Sequence, residues 1–353
     1  MKSEKWTGVR AASVAGVWVA ILFIICGARA QESKEKVTIN DVDRAYVVRL
    51  PRGYDQERKY PVVILLHGMN QDGDDMARLT RFNELADKDS IIAVYPSALH
   101  GRWNVGVRPP LRRVMGPGPR RYPGGGYPRR YPRRGPPGGE RPDENRSVLA
   151  DDIEFLNQML DKMGEKFSVD TTRVYAAGLS EGGFMVMKVG CTMADRIAAI
   201  APVGAAMPKM MTCLPSRPVP VVMINGTSDP VVPHGGGTEH NLQLPVVSVE
   251  DTAKAWAKIN RCGEKPSQTK LRAREKGGME TKVETYDGCQ QGAQVVSYSV
   301  KGGGNTWPGG EQYEVEKQVG KTSQDWNANE TIWSFLVTKR LAARNGTDSP
   351  SAK

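Results

Sequence analysis

Short apolar runs alternate with amphipathic stretches along most of the chain. The stretch "YPVVILLHG" (60–68) has an unbroken apolar centre, and "SIIAVYP" (90–96) has another. Runs of this kind between turn residues are typical of strands that are buried on both faces. The predicted strands are 44–51, 60–68, 90–96, 173–178, 197–204, 220–226 and 294–300.

The clearest amphipathic stretch is 149–167, where apolar residues recur every three or four positions and predict a helix. Apolar strands that alternate with amphipathic helices predict an α/β fold with a mostly parallel central sheet covered by helices on both faces. The other predicted helices are 78–89, 181–193, 249–260 and 323–341.

The first 30 residues have the pattern of a secretory signal peptide. Basic residues precede an apolar run at 11–26, and "ARA" (28–30) is a small-x-small cleavage site. The run is short for a membrane span, which needs about 20 residues. We therefore expect export, with no stable membrane insertion after cleavage, to an extracellular or periplasmic location. An uncleaved anchor is the main alternative, whereas Ile25 disfavours a lipoprotein processed at Cys26.

A polar spacer is predicted at 31–43, a single folded domain at 44–342 and a flexible tail at 343–353. Within the domain, 108–142 is rich in arginine, proline and glycine and has little aliphatic material to bury. That composition favours a disordered insertion over a folded module.

The net charge of +10 is concentrated in this insertion, where ten arginines accompany one acidic residue, Glu140. Without the insertion and the signal, the chain is close to neutral. A basic tract can bind an anionic polymer through charge, although a solvated loop is the simpler interpretation. Because export argues against nucleic acid, an anionic polysaccharide is the favoured partner of 108–142.

Four cysteines remain after the signal, and in an oxidising compartment they predict two disulfides. Four cysteines allow three pairings; Cys191–Cys213 and Cys262–Cys289 are favoured because each closes a short loop. A metal site is the rival interpretation, but neither a C-x-x-C spacing nor a nearby histidine pair supports it. No metal and no organic cofactor is predicted.

The motif "GLSEG" (178–182) directly follows a predicted strand and begins a predicted helix. This context favours a nucleophile elbow, in which a strained turn presents Ser180 and the flanking glycines avoid clashes. The backbone N–H of Glu181 would then face a developing oxyanion. The loop "LLHGMNQ" (65–71) is expected to supply the second donor, the N–H of Met69, with His67 as a scaffold residue.

A serine–acid–histidine order is expected for such an elbow. Asp229 comes just after the strand at 220–226 and is the predicted acid. The loop after the last strand, "KGGGNTWPGG" (301–310), is the place for the base, yet it presents Asn305. Two histidines follow the acid on its own loop, His234 and His240. His234 is the better candidate for a substitute base, although the favoured interpretation is that it lines the substrate cleft. The other two, His67 and His100, precede the serine.

The segments "LLHGMNQDG", "VDTTRVYAAGLSEGG", "INGTSDPVVP" and "GGGNTWPGG", with the placing of the cysteines, resemble the secreted polyhydroxybutyrate depolymerase and feruloyl esterase branch of the α/β-hydrolases. The resemblance spans about 44–340 apart from the insertion. It implies an α/β-hydrolase fold, a Ser–Asp–His triad that cleaves carboxylic esters, and the two disulfides favoured above.

Ser180 and Asp229 match the triad of this family, but its loop carries histidine where this chain has Asn305. An amide cannot take the serine proton at neutral pH. Three explanations follow: a pseudo-hydrolase that binds without turnover, a substitute base from His234 or His240, or a changed residue in an otherwise active enzyme. The expected substrates are esters of a polyester or of a feruloylated or acetylated polysaccharide.

Overall fold

The computed structural model describes residues 31–106 and 151–342. The predicted signal peptide (1–30), the Arg-rich insertion (108–142) and the tail (343–353) lie outside the described residues.

Ten strands form one sheet in the order β1-β2-β4-β3-β5-β6-β7-β12-β11-β10, and β8 pairs with β9 apart from it. The strands are β1 Gln31–Ile39, β2 Val42–Leu50, β3 Tyr60–Leu66, β4 Ile92–Pro96, β5 Val169–Leu179, β6 Ala199–Val203, β7 Val221–Gly226, β8 Gly237–Thr238, β9 Pro245–Val246, β10 Ser267–Leu271, β11 Thr281–Tyr286 and β12 Val295–Val300. The helices are α1 Gly73–Thr80, α2 Phe82–Asp89, α3 Asp152–Lys166, α4 Glu181–Thr192, α5 Val249–Ile259, α6 Glu316–Val319 and α7 Ala328–Leu336.

The six central strands, from β4 to β12 in sheet order, run parallel to one another. Every residue of β3, β4, β6 and β7 is buried. Side chains alternate between the two faces: Ile64 packs into one apolar cluster and Leu65 into the other. Unbroken apolar runs therefore fit these strands, because helices and loops cover both faces of the sheet.

Both edges of the sheet are antiparallel, and sequence patterning missed three of these edge strands. The expected polar spacer at 31–43 is wrong, since β1 pairs along its length with β2 and buries Val37 and Ile39. The strands β10 and β11 were not predicted. All five residues of β10 are exposed, so burial selects no apolar pattern there.

Two predicted helices have different bounds in the structure. The helix expected at 78–89 is two helices, because Arg81 takes the left-handed conformation (φ 52°) between α1 and α2. The helix expected at 323–341 is limited to α7, which begins where the Asn327 side chain accepts a hydrogen bond from the Asn329 N–H.

Two disulfides join the pairs that the sequence favours. Cys191 in α4 is bonded to Cys213 in the loop before β7, and Cys262 after α5 is bonded to Cys289 before β12. No helix in the described ranges has both the length and the apolar character needed to cross a membrane.

The parallel strands β5, β6, β7 and β12 are consecutive neighbours in the sheet. Their carboxyl ends therefore meet along one edge, which is where open α/β sheets place ligands. The predicted nucleophile, acid and base positions follow β5, β7 and β12 respectively.

Candidate active site

Ser180 lies between the end of β5 and the start of α4 with φ 57° and ψ −117°. A non-glycine residue in this region carries strain of about 1–3 kcal/mol, which the surrounding structure must hold in place. The Ser180 N–H donates to the carbonyl of Val203 (2.9 Å), and the Ser180 carbonyl accepts from the Phe184 N–H (3.1 Å). These bonds fix the sharp strand-to-helix turn that the motif predicts.

The glycines of the motif are required by packing. A Cβ on Gly182 would lie 2.2 Å from the Leu66 carbonyl oxygen, and one on Gly178 would lie 2.6 Å from the Gly182 oxygen. Backbone atoms cannot move away from such contacts as the end of a flexible side chain can, so only glycine fits at these two positions. The elbow thus packs directly against the end of β3, which leads into the loop with Met69.

Hydrogen bonds on both sides of Met69 hold the backbone of that loop in place. The Gly68 N–H donates to Gln71 Oε1 (2.9 Å), and the Asn70 N–H donates to the Gly101 carbonyl (2.9 Å). Opposite, Glu181 is the first residue of α4, and the first N–H groups of a helix have no partner within the helix. Met69 and Ser180 line the same cleft.

His67 is a buried scaffold residue of the loop. Its Nε2 accepts from the Ala98 N–H (2.9 Å), so Nδ1 carries the proton and donates to the Gly68 carbonyl (2.7 Å). Burial lowers the pKa of the ring and favours this neutral state. Because both nitrogens are engaged, His67 has no nitrogen left to accept a proton from Ser180.

Asp229 follows β7 and is almost fully buried. Its Oδ1 accepts from the N–H groups of Val231 and Val232 (2.8 Å each), and its Oδ2 accepts from Asn305 Nδ2 (2.8 Å). Burial raises the pKa of Asp229 to about 7, and these hydrogen bonds oppose the shift. The structure therefore brings the predicted acid and the base position into direct contact.

Asn305 is fully buried after β12, and its side-chain amide has a defined orientation. Nδ2 donates both to Asp229 Oδ2 and to the Gly204 carbonyl (2.9 Å), so the NH2 group faces two acceptors. Oδ1 makes no hydrogen bond with the described residues. Since Ser180 is bonded to Val203, next to Gly204, the three predicted positions meet at the ends of neighbouring strands.

The glycine-rich loop 301–310 holds Asn305 rigidly. A Cβ on Gly304 would lie 2.0 Å from the Val319 carbonyl oxygen, which itself accepts the Asn305 N–H at 2.6 Å. Trp307 is fully buried, and its indole N–H donates to Asn329 Oδ1 (2.8 Å). The loop thus fixes a single side chain against the acid.

His234 does not line the cleft of Ser180, so the prediction that it lines the substrate cleft is wrong, and it is not placed to act as the substitute base. Its Nε2 lies 3.1 Å from Ser299 Oγ, and the ring lines a cavity of about 600 Å³ beside β10, β11 and β12 that Ser180 does not line. The chain turns away after Asp229, because the Val249 N–H bonds the His234 carbonyl at the start of α5.

His240 is the histidine that lines the cleft of Ser180. The cleft has a volume of about 670 Å³, and its walls also include Met69, Tyr313 and Lys317. The remaining histidine, His100, is exposed and does not line this cleft. All four histidines of the chain lie in the described ranges, and His240 is the one among them that lines this cleft.

Buried charge near the elbow was not predicted from the sequence. Glu181 and Glu239 are each 2% exposed, and Arg102 Nε donates to Glu181 Oε1 at 3.1 Å. Burial raises the pKa of Glu181 to about 7, while Arg102 opposes the shift. A buried carboxylate generally needs a partner. No sequence pattern, however, indicates that Arg102 is the partner of Glu181, because the two residues are far apart in the chain.

Within residues 31–106 and 151–342, no three His, Cys, Asp or Glu side chains are grouped so that they could hold a metal ion.

Comparisons with known proteins show that the chain is similar to esterases. Residues 44–104 match a family model described as esterase PHB depolymerase. The NocK protein of Nocardia uniformis subsp. tsuyamanensis is 26% identical over 287 residues, which cover 78% of this chain and 74% of that protein. Feruloyl esterase B of Piromyces equi is 34% identical over 163 residues, which cover 44% of this chain and only 29% of that enzyme.

Among solved structures, an acetyl xylan esterase from Aspergillus awamori superposes with a TM-score of 0.51 at 12% identity, covering 86% of this chain and 99% of that one. This likeness shows the fold, and the α/β-hydrolase prediction is confirmed. The resemblance to the polyhydroxybutyrate depolymerase and feruloyl esterase branch is likewise confirmed, and esterases are among the relatives of this chain.

Proposed function

We propose that the chain is a secreted serine hydrolase that binds carboxylic esters and cleaves them slowly through Ser180. Asp229 is the acid, the N–H groups of Met69 and Glu181 form the oxyanion hole, and Asn305 occupies the position of the base. The observation that carries the proposal is the strained Ser180 at the end of β5, beside the hydrogen-bonded pair of Asp229 and Asn305.

In the proposed reaction, Ser180 Oγ attacks the ester carbonyl, and the developing oxyanion accepts hydrogen bonds from the two backbone N–H groups. Donors fixed in advance can contribute a factor of about 10²–10³ each, because they need no reorganisation during the reaction. The alcohol leaves and water then releases the acyl group from Ser180. Both steps need a proton acceptor near the serine oxygen.

Asn305 cannot supply that acceptor. Its NH2 group donates to Asp229 and to the Gly204 carbonyl, and an amide oxygen is a very weak base. In the described ranges His240 is hydrogen-bonded through its backbone alone and not to Ser180, so in the proposed mechanism the Ser180 proton passes to solvent. Serine hydrolases that lack the base lose about 10⁶ in kcat, yet they keep about 10³–10⁴ over water through binding and the oxyanion hole.

A second candidate function is ligand binding without turnover, and the Asn305 NH2 group favours it, because it already donates to two acceptors and cannot act as a base. The cleft is open to solvent and has a volume of about 670 Å³, within the usual range for small-molecule sites. In this case the ester or its acid product would bind without forming an acyl-enzyme.

Esters of polysaccharides or polyesters are the proposed substrates. The family description and the names of two relatives, a feruloyl esterase and an acetyl xylan esterase, support this class. Secretion is proposed from the signal-like residues 1–30 and agrees with the two disulfides. Binding of an anionic polymer at 108–142 stays a prediction.

Three purified proteins test the proposal: the chain without residues 1–30, the same chain with Asn305→His, and with Ser180→Ala. Hydrolysis of p-nitrophenyl acetate and butyrate is measured for each. We expect weak activity in the first protein, a large gain in the second and none above background in the third.

Equal rates for the first and third proteins, with a large gain from Asn305→His, would favour binding without turnover. An inactive Asn305→His protein that is correctly folded would refute the hydrolase assignment itself. Labelling of Ser180 by a serine-directed phosphonate, read by mass spectrometry, reports separately whether the hydroxyl is reactive.

A further inference from the structure

One segment, Ala98–Val105, contacts the loop that carries Met69 at three points. The Ala98 N–H donates to His67 Nε2 at 2.9 Å, and the Trp103 indole N–H donates to the His67 carbonyl at 2.9 Å. The Gly101 carbonyl accepts from the Asn70 N–H at 2.9 Å. This segment therefore determines where the Met69 side of the oxyanion hole lies.

The same segment also contacts the other side of the hole. Arg102 lies between Gly101 and Trp103, and its Nε donates to Glu181 Oε1 at 3.1 Å. The side chain of Glu181 is 2% exposed and that of Arg102 is 39% exposed, so a surface cation holds a buried carboxylate. The second carboxylate oxygen, Oε2, makes no hydrogen bond with the described residues.

Arg102 is the cation that faces this carboxylate. Glu239, also 2% exposed, lies close enough to Glu181 to disfavour its charge. The backbone N–H of Trp103 also favours the charged form of the Glu181 carboxylate. Without the guanidinium, Glu181 would be an uncompensated buried charge, and such a group moves or takes up a proton.

We propose that Arg102 is a positioning residue for the oxyanion hole. Its ion pair with Glu181 holds the first turn of α4, and with it the Glu181 N–H, in register with the Met69 loop that the same segment carries. This inference rests on the proposed esterase function, because it assigns Arg102 a part in that reaction without contact to the substrate.

The expected effect follows from how sensitive such donors are to position. A misplacement of about 1 Å can cost 10²-fold in rate, and loss of a donor costs about 10²–10³ in kcat. Release of the Glu181 side chain shifts the donor without removing it. We therefore expect Arg102→Gln to lower kcat by about 10–100-fold with little change in KM.

The test is made in the Asn305→His protein, whose turnover is expected to be measurable. Arg102→Gln, Arg102→Lys, Glu181→Ala and the double variant Arg102→Gln/Glu181→Ala are compared on p-nitrophenyl butyrate. We expect Arg102→Lys to recover part of the loss. In the Glu181→Ala background, where the carboxylate is absent, Arg102→Gln should change kcat by less than about twofold if the two residues act as one unit.

Arg81→Gln is the matched control, since Arg81 forms an ion pair with Glu84 in which both side chains are exposed. It should leave kcat and KM unchanged. Thermal unfolding of every variant shows which are folded. If Arg102→Gln alone does not fold, the comparison of Glu181→Ala with the double variant still tests the coupling, because neither leaves a buried carboxylate at position 181.

Two results would overturn the inference while the esterase function stands: an unchanged kcat in folded Arg102→Gln, or an equal loss with and without the Glu181 side chain. A change in KM alone would also overturn it, because it would indicate that Arg102 contacts the substrate. Absence of Ser180-dependent turnover in Asn305→His would instead refute the proposed function, and this inference with it.

Discussion

Replacing Asn305 by histidine should turn a slow site into an efficient one. The Asn305 amide already donates to Asp229 Oδ2 at 2.8 Å, which is the bond that an imidazole Nδ1–H would make. The imidazole Nε2 lies one bond farther from the backbone than either end of an amide, so it extends beyond the present Asn305 atoms.

The size of the gain can be bounded from both sides. Loss of the base from a complete triad costs about 10⁶ in kcat, which is the upper limit. Two features should reduce the gain below this limit. Space is limited, because a Cβ on Gly204 would lie only 2.8 Å from Asn305 Nδ2, and the imidazole would lose the hydrogen bond to the Gly204 carbonyl. We therefore expect a gain of about 10³–10⁵-fold, or about 4–7 kcal/mol of transition-state stabilisation at 1.36 kcal/mol per factor of ten.

The assay is steady-state hydrolysis of p-nitrophenyl butyrate, with the Ser180→Ala/Asn305→His double variant as the control for background reaction. A gain that depends on Ser180 supports the geometry. If folded Asn305→His gains less than tenfold, the base position is not at hydrogen-bonding distance from Ser180, and the assignment of the loop at 301–310 is wrong.

Three further predictions concern the acid, the base position and a disulfide. Burial raises the pKa of Asp229 to about 7 from 3.8, so the folded state loses stability as pH rises from about 4 to 7; the full penalty above pH 7 is about 4 kcal/mol. Urea unfolding at pH 5 and 8 should therefore show a smaller decrease for Asp229→Asn than for the native chain, and an equal decrease would contradict this. Asn305→Gly should be inactive alone but gain Ser180-dependent turnover with added imidazole, and no rise at 100 mM imidazole would argue against space beside Asp229. The Cys262–Cys289 disulfide joins residues that are 27 positions apart. Its removal in Cys262→Ser/Cys289→Ser should lower the free energy of unfolding by about 3 kcal/mol, as measured by urea unfolding.

The centre of the fold could be predicted from the sequence because burial leaves a strong pattern there. Every residue of β3 is buried, and the unbroken apolar run at 60–68 reflects this. The edges gave no such signal. In β1 only Val37 and Ile39 are buried, and in β10 no residue is, so polar composition resembled a spacer or a loop. The left-handed Arg81 has no marker in the sequence that would end a helix.

The candidate site was predictable where chain order alone determines position. Ser180, Asp229 and Asn305 each follow a parallel strand, so their strands bring them to one edge of the sheet. His234 could not be placed in this way, because five residues after Asp229 the direction of a loop depends on tertiary contacts such as the Val249–His234 hydrogen bond. His240, farther along the same loop, lines the cleft instead.

The chain carries two energetic costs at this edge of the sheet that stability alone does not explain. Ser180 occupies a strained backbone region, and Asp229 is buried with a pKa raised to about 7. Among the residues that the structure describes, no cation is bonded to Asp229. Replacement of either residue by an unstrained or neutral one would relieve its cost, and sites that trade stability in this way are commonly functional. Asn305 reduces the second cost by donating to the carboxylate, yet it withholds the base. These two costs support the proposed function, in which this edge of the sheet binds an ester and Asn305 limits the rate.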